Sequence, residues 1–451
     1  MFRLLTCSLC AAACFGAVNY TYTTLGPSPG YSNAIPTSLN NAGQVVGYEE
    51  NSNPHEQTLV IWNASVPSIV PMPAGFALAV PSETAFLTSP QTPATNASGQ
   101  ILAHAVDTAT GAGVGILFNS GTPAVIGAAP NSCGAASTAV FGLNASGHVV
   151  GATSGPSCKV FWVWANGTFE TFQPPDPAHF VVAGLDDASR VMGIVCRNIP
   201  INEGCETGPI LLLESGQPPV EYQDGANGIS RPNNTGQVTG YMLAGPGSDS
   251  IFWIGPTSPI GIPPSGPLAF ESCCYTNPNN AGYVVFSKPG GGPYAIMHEG
   301  AVVAEIAGNF STNGAPFLLN DALQFVAGGN LFSPAPSGSA RDVTSQIEVF
   351  KGEAVLDLST GRFRQQVTLT NRGQSLPGKV SLLLGQLSPR VALCGLSGAS
   401  LQSALSGAPF LDLPAAFGPA GSQVTVSLEF IDGAHAGVDW VARVLETAVM
   451  H

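Results

Sequence analysis

Residues able to do chemistry occur in this 451-residue chain as short, separated groups. Gly26-Pro27-Ser28-Pro29-Gly30 spells GxSxG, the pattern that lifts a nucleophilic serine onto a strand-to-helix turn. Two prolines and no helical period surround that serine, so the segment reads as a plain turn. Gly373 to Lys379 (GQSLPGK) resembles a phosphate-binding loop. Val380 stands where Ser or Thr should hold magnesium, and no helix follows to offer its N-terminus, which leaves a hairpin loop. The seven histidines, at 55, 104, 148, 179, 298, 435 and 451, form neither HExxH nor HxH pairs. Asp186-Asp187 reads as a turn, with calcium ligation the lesser reading. Glu49-Glu50 reads as a solvated strand end. No catalytic, cofactor-binding or metal-ligating residue is assigned, and no cofactor is expected.

The cysteines belong with the N-terminus. Arg3, the apolar run Leu4 to Ala13 and the small residues Cys14, Gly16 and Ala17 have the pattern of a secretory leader, taken as residues 1–17. Cys14 after three alanines is similar to a bacterial lipoprotein site but lacks the leucine three positions before it, so plain secretion is the expectation. An exported chain can oxidise its cysteines. Cys133 with Cys158 and Cys196 with Cys205 are candidate disulfides, Cys273-Cys274 are adjacent, and Cys394 stands alone. With no CxxC pair, a metal cluster is disfavoured. No later segment offers the roughly 20 apolar residues that cross a bilayer.

Composition narrows the classes. The chain has 54 Gly and 38 Pro, is only 9% charged, and carries a formal net charge of −14. A negative field excludes a basic nucleic-acid binder, and 44% hydrophobic residues exclude a disordered chain. What remains is a turn-rich β protein.

Self-similarity then supplies the organisation. Asn40-Asn41-Ala42-Gly43-Gln44-Val45-Val46-Gly47 recurs, in divergent form, from Asn96, Asn144, Asp186, Asn233, Asn279 and Asn320. These seven copies, numbered here 1 to 7, place their turn anchors at Gly43, Gly99, Gly147, Ser189, Gly236, Gly282 and Leu323, with a mean period of about 47 residues. The Asn-x-x-Gly core suits a turn needing φ > 0, and apolar strands follow, one of which most often ends in an aromatic residue, as at Trp62, Phe118 and Trp164. These aromatics are expected in the core between units. A unit of this length holding three or four short strands has the size of a β-propeller blade. The fold expected is all-β: a seven-bladed β-propeller over 18–332, closed by pairing of Tyr20–Leu25 with the region Gln324–Phe332.

The tandem Asn-x-x-Gly-Gln-Val-Val-Gly turn with a Trp-ending strand resembles the bacterial HAF-type extracellular repeat, over roughly residues 20–332. The His-Ala-Phe that precedes the Trp in that family is absent, replaced by Thr58-Leu59-Val60 or Val160-Phe161. The resemblance implies export and a repeated β fold, and transfers no catalytic residue.

Residues 333–340 (SPAPSGSA) read as a linker, and charge rises beyond them: eight of the fourteen basic residues lie in 341–451. Alternating strands there, such as Phe363–Asn371 and Ser422–Phe430, suit a small Ig-like β-sandwich, similar to Ig-like or fibronectin-like accessory domains of bacterial surface proteins. The function expected is a secreted or cell-surface binding module rather than an enzyme. The partner would be neutral or cationic: a glycan, a cell-wall component or a protein, and not nucleic acid. The alternative is a secreted polysaccharide-active hydrolase or lyase with carboxylates converging in the propeller channel.

Overall fold

The computed structural model describes residues 16–447; the longer stretches outside the description are 52–55, 80–92, 131–136, 197–207, 244–248, 255–258, 262–274, 288–293, 308–315, 335–339, 400–407 and 433–436. The described chain is all-β, built of small antiparallel sheets, with a single 3-10 turn at Thr344–Gln346 as its helical element. Among the described residues no helix is long and apolar enough to cross a membrane.

Each copy of the repeat begins its own sheet. In copy 1 the strands Asn33–Leu39, Gln44–Glu50, Gln57–Asn63 and Val66–Val70 lie side by side in chain order. Copies 3, 4 and 5 repeat this four-strand order, and copy 2 adds a short fifth strand. Copies 6 and 7 contribute three strands each and are joined through the N-terminal strand Gly16–Thr24. Its first half runs parallel to copy 6 (Gly16↔Ala304 to Asn19↔Ala307), and its second half runs antiparallel to copy 7 (Tyr20↔Pro334 to Thr24↔Asn330). The start of the chain thus completes the last sheet, with the pairing read from the sequence. Two boundaries differ. Ser333 and Pro334 belong to this ladder rather than to a linker, and Gly16 and Ala17, at the end of the segment read as a leader, lie in the same strand.

Local backbone chemistry explains the second glycine of the motif. The first strand of copies 1, 3, 4 and 7 carries a register shift three residues before the turn, at Thr37, Phe141, Ala183 and Phe317. The bulge pushes the preceding backbone toward the residue opposite it. That residue is Gly47, Gly151 or Gly193 in copies 1, 3 and 4. A Cβ on Gly47 would sit 2.1 Å from Ile35 O, and one on Gly193 would sit 2.5 Å from Val181 O.

The cores lie between consecutive sheets. Val46 and Leu59 of copy 1 pack with Ile101, Ala103 and Ile116 of copy 2. Leu102 and Leu117 pack with Val140 and Trp162 of copy 3, and Val150 and Phe161 with Phe180 and Val191 of copy 4. The series returns to its start, because Val45, Val60 and Trp62 of copy 1 share a cluster with Leu318, Val326 and Leu331 of copy 7. Of the strand-ending aromatics expected in the core, Trp62 and Phe118 are buried in these seams, whereas Trp164 is half-buried and Trp162, two residues earlier, is the one fully enclosed. Each large apolar side chain so enclosed contributes about 1.5–3 kcal/mol.

After residue 340 the chain forms two antiparallel sheets. One contains Ala340–Asp342, Val441–Thr447, Lys379–Gly385, Pro409–Asp412 and the short Gly398–Ala399; the other contains Ile347–Asp357, Arg362–Asn371, Gln423–Asp432 and Val391–Leu393. Their common core, including Val367, Leu382, Phe430 and Trp440, runs on into Tyr283, Tyr294 and Phe325 of copies 6 and 7.

Glycine substitutions test this construction. Gly99→Ala meets open space and should cost about 1 kcal/mol for its left-handed backbone alone. Gly47→Ala meets backbone that cannot yield and should cost about 3 kcal/mol or more. Urea midpoints at pH 7 should therefore fall only slightly for the first variant and steeply for the second.

Candidate functional site

The seven anchor turns share one geometry. In every copy the N–H of the first Asx donates to the C=O four residues on, and its own C=O accepts from the anchor N–H, as in Asn40 N to Gln44 O (3.0 Å) and Gly43 N to Asn40 O (3.0 Å). This is a three-residue hairpin loop whose last residue must adopt positive φ. All seven anchors do so, from 82° at Gly147, Gly236 and Gly282 down to 63° at Ser189 and 57° at Leu323. The side-chain Oδ1 closes the turn from inside. Asn40 Oδ1 accepts from Ala42 N (3.1 Å) and Gln44 N (3.0 Å), and Asn96, Asn144, Asn233 and Asn320 repeat both bonds.

With Oδ1 engaged at home, Nδ2 is left to donate outward, and it reaches the next copy. Asn40 donates to Asn96 O (3.3 Å), Asn96 to Asn144 O (2.9 Å) and Asn144 to Asp186 O (3.0 Å). Asn233 donates to Asn279 O (2.7 Å), and Asn279 to Asn320 O (3.3 Å). Asn320 then donates to Asn40 O (2.9 Å), 280 residues away in sequence. The relay runs in one direction and ends where it began. All these donors are buried.

Copy 4 is the exception. The Asp186 side chain has no N–H to donate, and the link to copy 5 is made by the backbone, Asp187 N to Asn234 O (3.3 Å). The Asp186 carboxylate instead binds Arg190 Nε (2.7 Å) and Nη2 (2.6 Å), and this bond holds the Arg190 guanidinium above its ordinary range. On its other side, Ser189 Oγ lies 2.6 Å from His148 Nδ1 of copy 3. A serine on a left-handed turn beside a histidine has the outline of a nucleophile and its base. Leu323 shows the same backbone with no chemistry to perform, so the conformation belongs to the turn and not to catalysis.

A second set of bonds uses the next turn residue. Asp321 Oδ1 accepts from Asn280 N (2.7 Å), and its Oδ2 accepts from Asn280 Nδ2 (2.7 Å) and Asn41 Nδ2 (2.6 Å). Asp187 Oδ1 accepts from Ala145 N (3.0 Å). Each of the three turn carboxylates, at 186, 187 and 321, is thus tied to amides or to arginine. What the turns expose is small and polar, including Asn41, Ser98, Ser146, Asn234 and Thr235.

Other residues singled out in the sequence fall elsewhere. Ser28 of the GxSxG segment is buried, and its N and Oγ both donate to Glu49 Oε1. Glu49 is therefore an enclosed acceptor rather than a solvated strand end. Cys133, Cys205, Cys273 and Cys274 lie outside the described residues. Neither Cys158 nor Cys196 is a free thiol, and Cys394 is buried. His104 bonds Thr138 O across the seam between copies 2 and 3, and burial lowers its pKa. Among the described residues no three His, Cys, Asp or Glu side chains are placed to hold a metal ion.

No protein-family model and no curated protein matches the chain. Among solved structures it is similar to the acylaminoacyl peptidase of Pyrococcus horikoshii, at 12% identity and a TM-score of 0.42 over 76% of this chain, and it spans 59% of that protein's length. It is also similar to the β-propeller domain of the Trilobed protease from Pyrococcus furiosus, at 10% identity and a TM-score of 0.41, covering 67% of this chain and 91% of that one.

Two measurements probe the relay. Asn320→Asp removes the donor that joins copy 7 to copy 1 and should cost about 2 kcal/mol. Adding Gln324→Arg imports the Asp186–Arg190 arrangement and should recover part of that loss in urea melts. His298 supports the relay from below, with Nε2 3.1 Å from Ala281 O of the copy 6 turn. Burial lowers its pKa from 6.5 to about 4. The unfolded chain binds more protons between those values, so this contribution is complete above about pH 6.5 and is lost as pH falls toward 4. Stability should drop by about 2 kcal/mol from pH 7 to pH 5, and His298→Gln should flatten most of that slope.

Proposed function

We propose that the chain is a secreted or surface-displayed binding module: a seven-bladed β-propeller of divergent HAF-type repeats, closed on itself, with an Ig-like sandwich at its C-terminus. The observation that carries the binding reading is the use of the turn carboxylates. Asp186, Asp187 and Asp321 are all engaged in holding turns together, which leaves them no place as general acid, base or nucleophile. Hydroxyl and amide side chains face solvent on the same turns, and such groups bind neutral polar ligands such as glycans through hydrogen bonds. The return of both the amide relay and the apolar seams from copy 7 to copy 1 supports closure. Closure removes the exposed sheet edges that an open array would leave. Disulfides Cys133–Cys158 and Cys196–Cys205 fit an exported chain, and a leader ending before the strand that begins at Gly16 fits the same location.

A glycan-array screen of the full chain tests the reading, with an Asn234→Ala/Ser146→Ala variant beside it. These two side chains are absent from the relay's bonds, so the variant should melt like the parent and lose binding by about tenfold, as two truncated hydrogen bonds imply. Failure to bind any glycan, together with release of reducing ends from polysaccharides, would favour the hydrolase or lyase instead.

A further inference from the structure

We propose that the anchor turns of copies 1 and 2 together bind the acetamido group of an N-acetylated amino sugar. The proposal rests on the binding reading and narrows its ligand. The repeat itself provides the comparison, at the turn residue that follows the first Asx. In four copies the N–H of that residue donates to the side-chain Oδ1 at the same position of the next copy. The bonds run from Ala145 to Asp187 (3.0 Å), Asn234 to Asn280 (2.9 Å), Asn280 to Asp321 (2.7 Å) and Asp321 to Asn41 (3.0 Å). Asp187 N turns instead to the backbone oxygen of Asn234. Copies 2 and 3 carry Ala97 and Ala145 at this position and have no side-chain oxygen to offer. The N–H groups of Asn41 and Ala97 therefore meet no acceptor among the described residues.

An independent feature singles out the first of these two seams. Gln324 lies over Gly43 and Gln100 over Gly147, each within 3 Å of where a Cβ would be. Over Gly99 no atom comes within 4 Å of that point. Gln44, the residue of copy 1 that corresponds to Gln100, donates to Asn63 Oδ1 of its own copy (3.1 Å). Asn41, Ala42, Ala97, Ser98 and Gly99 are all exposed. An unmatched donor, open space and the Ala97 methyl thus come together on a surface that a ligand can reach.

What copies 2 and 3 lack is the oxygen acceptor that Asn and Asp supply elsewhere in the ring. A ligand carboxylate would meet the carboxylate of Asp321, whose Oδ2 accepts from Asn41 Nδ2 (2.6 Å), and the field of a chain of net charge −14. A neutral amide oxygen meets neither penalty. The acetamido C=O can accept from Asn41 N–H with its methyl against the Ala97 methyl, and the exposed Ser98 hydroxyl remains for the hydroxyls of the sugar ring. A plain hexose is a poorer fit, because the hydroxyl that accepted from Asn41 N–H would turn its own O–H toward the Ala97 methyl. The turn already fixes the N–H in place, so binding orders no long side chain.

Titration of the ¹⁵N-labelled full chain at pH 7 with N-acetylglucosamine, glucose and sodium glucuronate, read from the amide shifts, tests the assignment. N-acetylglucosamine should bind saturably and move the Asn41 and Gly99 amides most. Glucose should leave both in place, and glucuronate should bind weaker by about tenfold or more. Ala97→Asn supplies the Oδ1 from within the ring, so it should raise the urea midpoint and weaken N-acetylglucosamine by about tenfold or more. If that variant does not fold, the amide shifts of the unaltered chain carry the test. Absent binding, shifts confined to other copies, an equal response to glucose, or affinity unchanged in Ala97→Asn would each overturn the assignment. The two readings also fail separately. Glycan binding indifferent to Ala97→Asn would spare the module and remove this site, whereas a silent glycan array with release of reducing ends would remove the module itself.

Discussion

In six of the seven copies the side-chain amide of one asparagine does two incompatible-sounding things at once, and the remaining architecture follows from that division. Its oxygen folds back to satisfy N–H groups of its own turn, and its nitrogen projects to the C=O of the next copy's turn. A hydroxyl cannot do both at this reach, and a carboxylate cannot do the second at all. Each bond is worth only about 0.5–1.5 kcal/mol net, but leaving a buried C=O or amide unpaired costs more than the bond returns. The relay is therefore as much a specification of which copies are neighbours as a source of stability.

The relay also fixes what surrounds it. Holding the hairpins close brings the side chain four residues after the Asx over the next copy's anchor at most of the described seams, with Gly99 left open. Gln324 lies against Gly43, and Gln100 against Gly147, each within 3 Å of where a Cβ would be. Where the anchor is Ser189, the neighbour is His148, which bonds it. Anchor and neighbour are thus matched in size across the seam. Charged side chains enter the turns at Asp186, Asp187 and Arg190 of copy 4 and at Asp321 of copy 7, each bonded within the turns, and the other copies present amides and hydroxyls.

Much of this was legible in the sequence because the determinants are local. Asn-x-x-Gly dictates a positive-φ hairpin whatever lies around it, so the seven turns and their anchors could be located from spacing alone, including the two that lack glycine. The N-terminal strand could be placed because an incomplete last unit left an obvious vacancy. The role of Gly47 was not legible, since it depends on a bulge in the facing strand that no residue type announces. Nor was the relay, because Asn in a turn looks the same whether its nitrogen meets water or a neighbour. Glu49 was misread for a related reason: its strand position suggested solvent, and only the loop bearing Ser28 encloses it.

Native-state hydrogen exchange on the turn amides addresses the relay most directly. If copy 7 is bonded to copy 1, the amides of Gly43 and Leu323 have the same protection as those of Gly147 and Gly236, and all open together in one event at the global unfolding free energy. Independent, faster exchange at the first and last turns, with protection rising toward the middle copies, is the signature of an open array and would contradict the account.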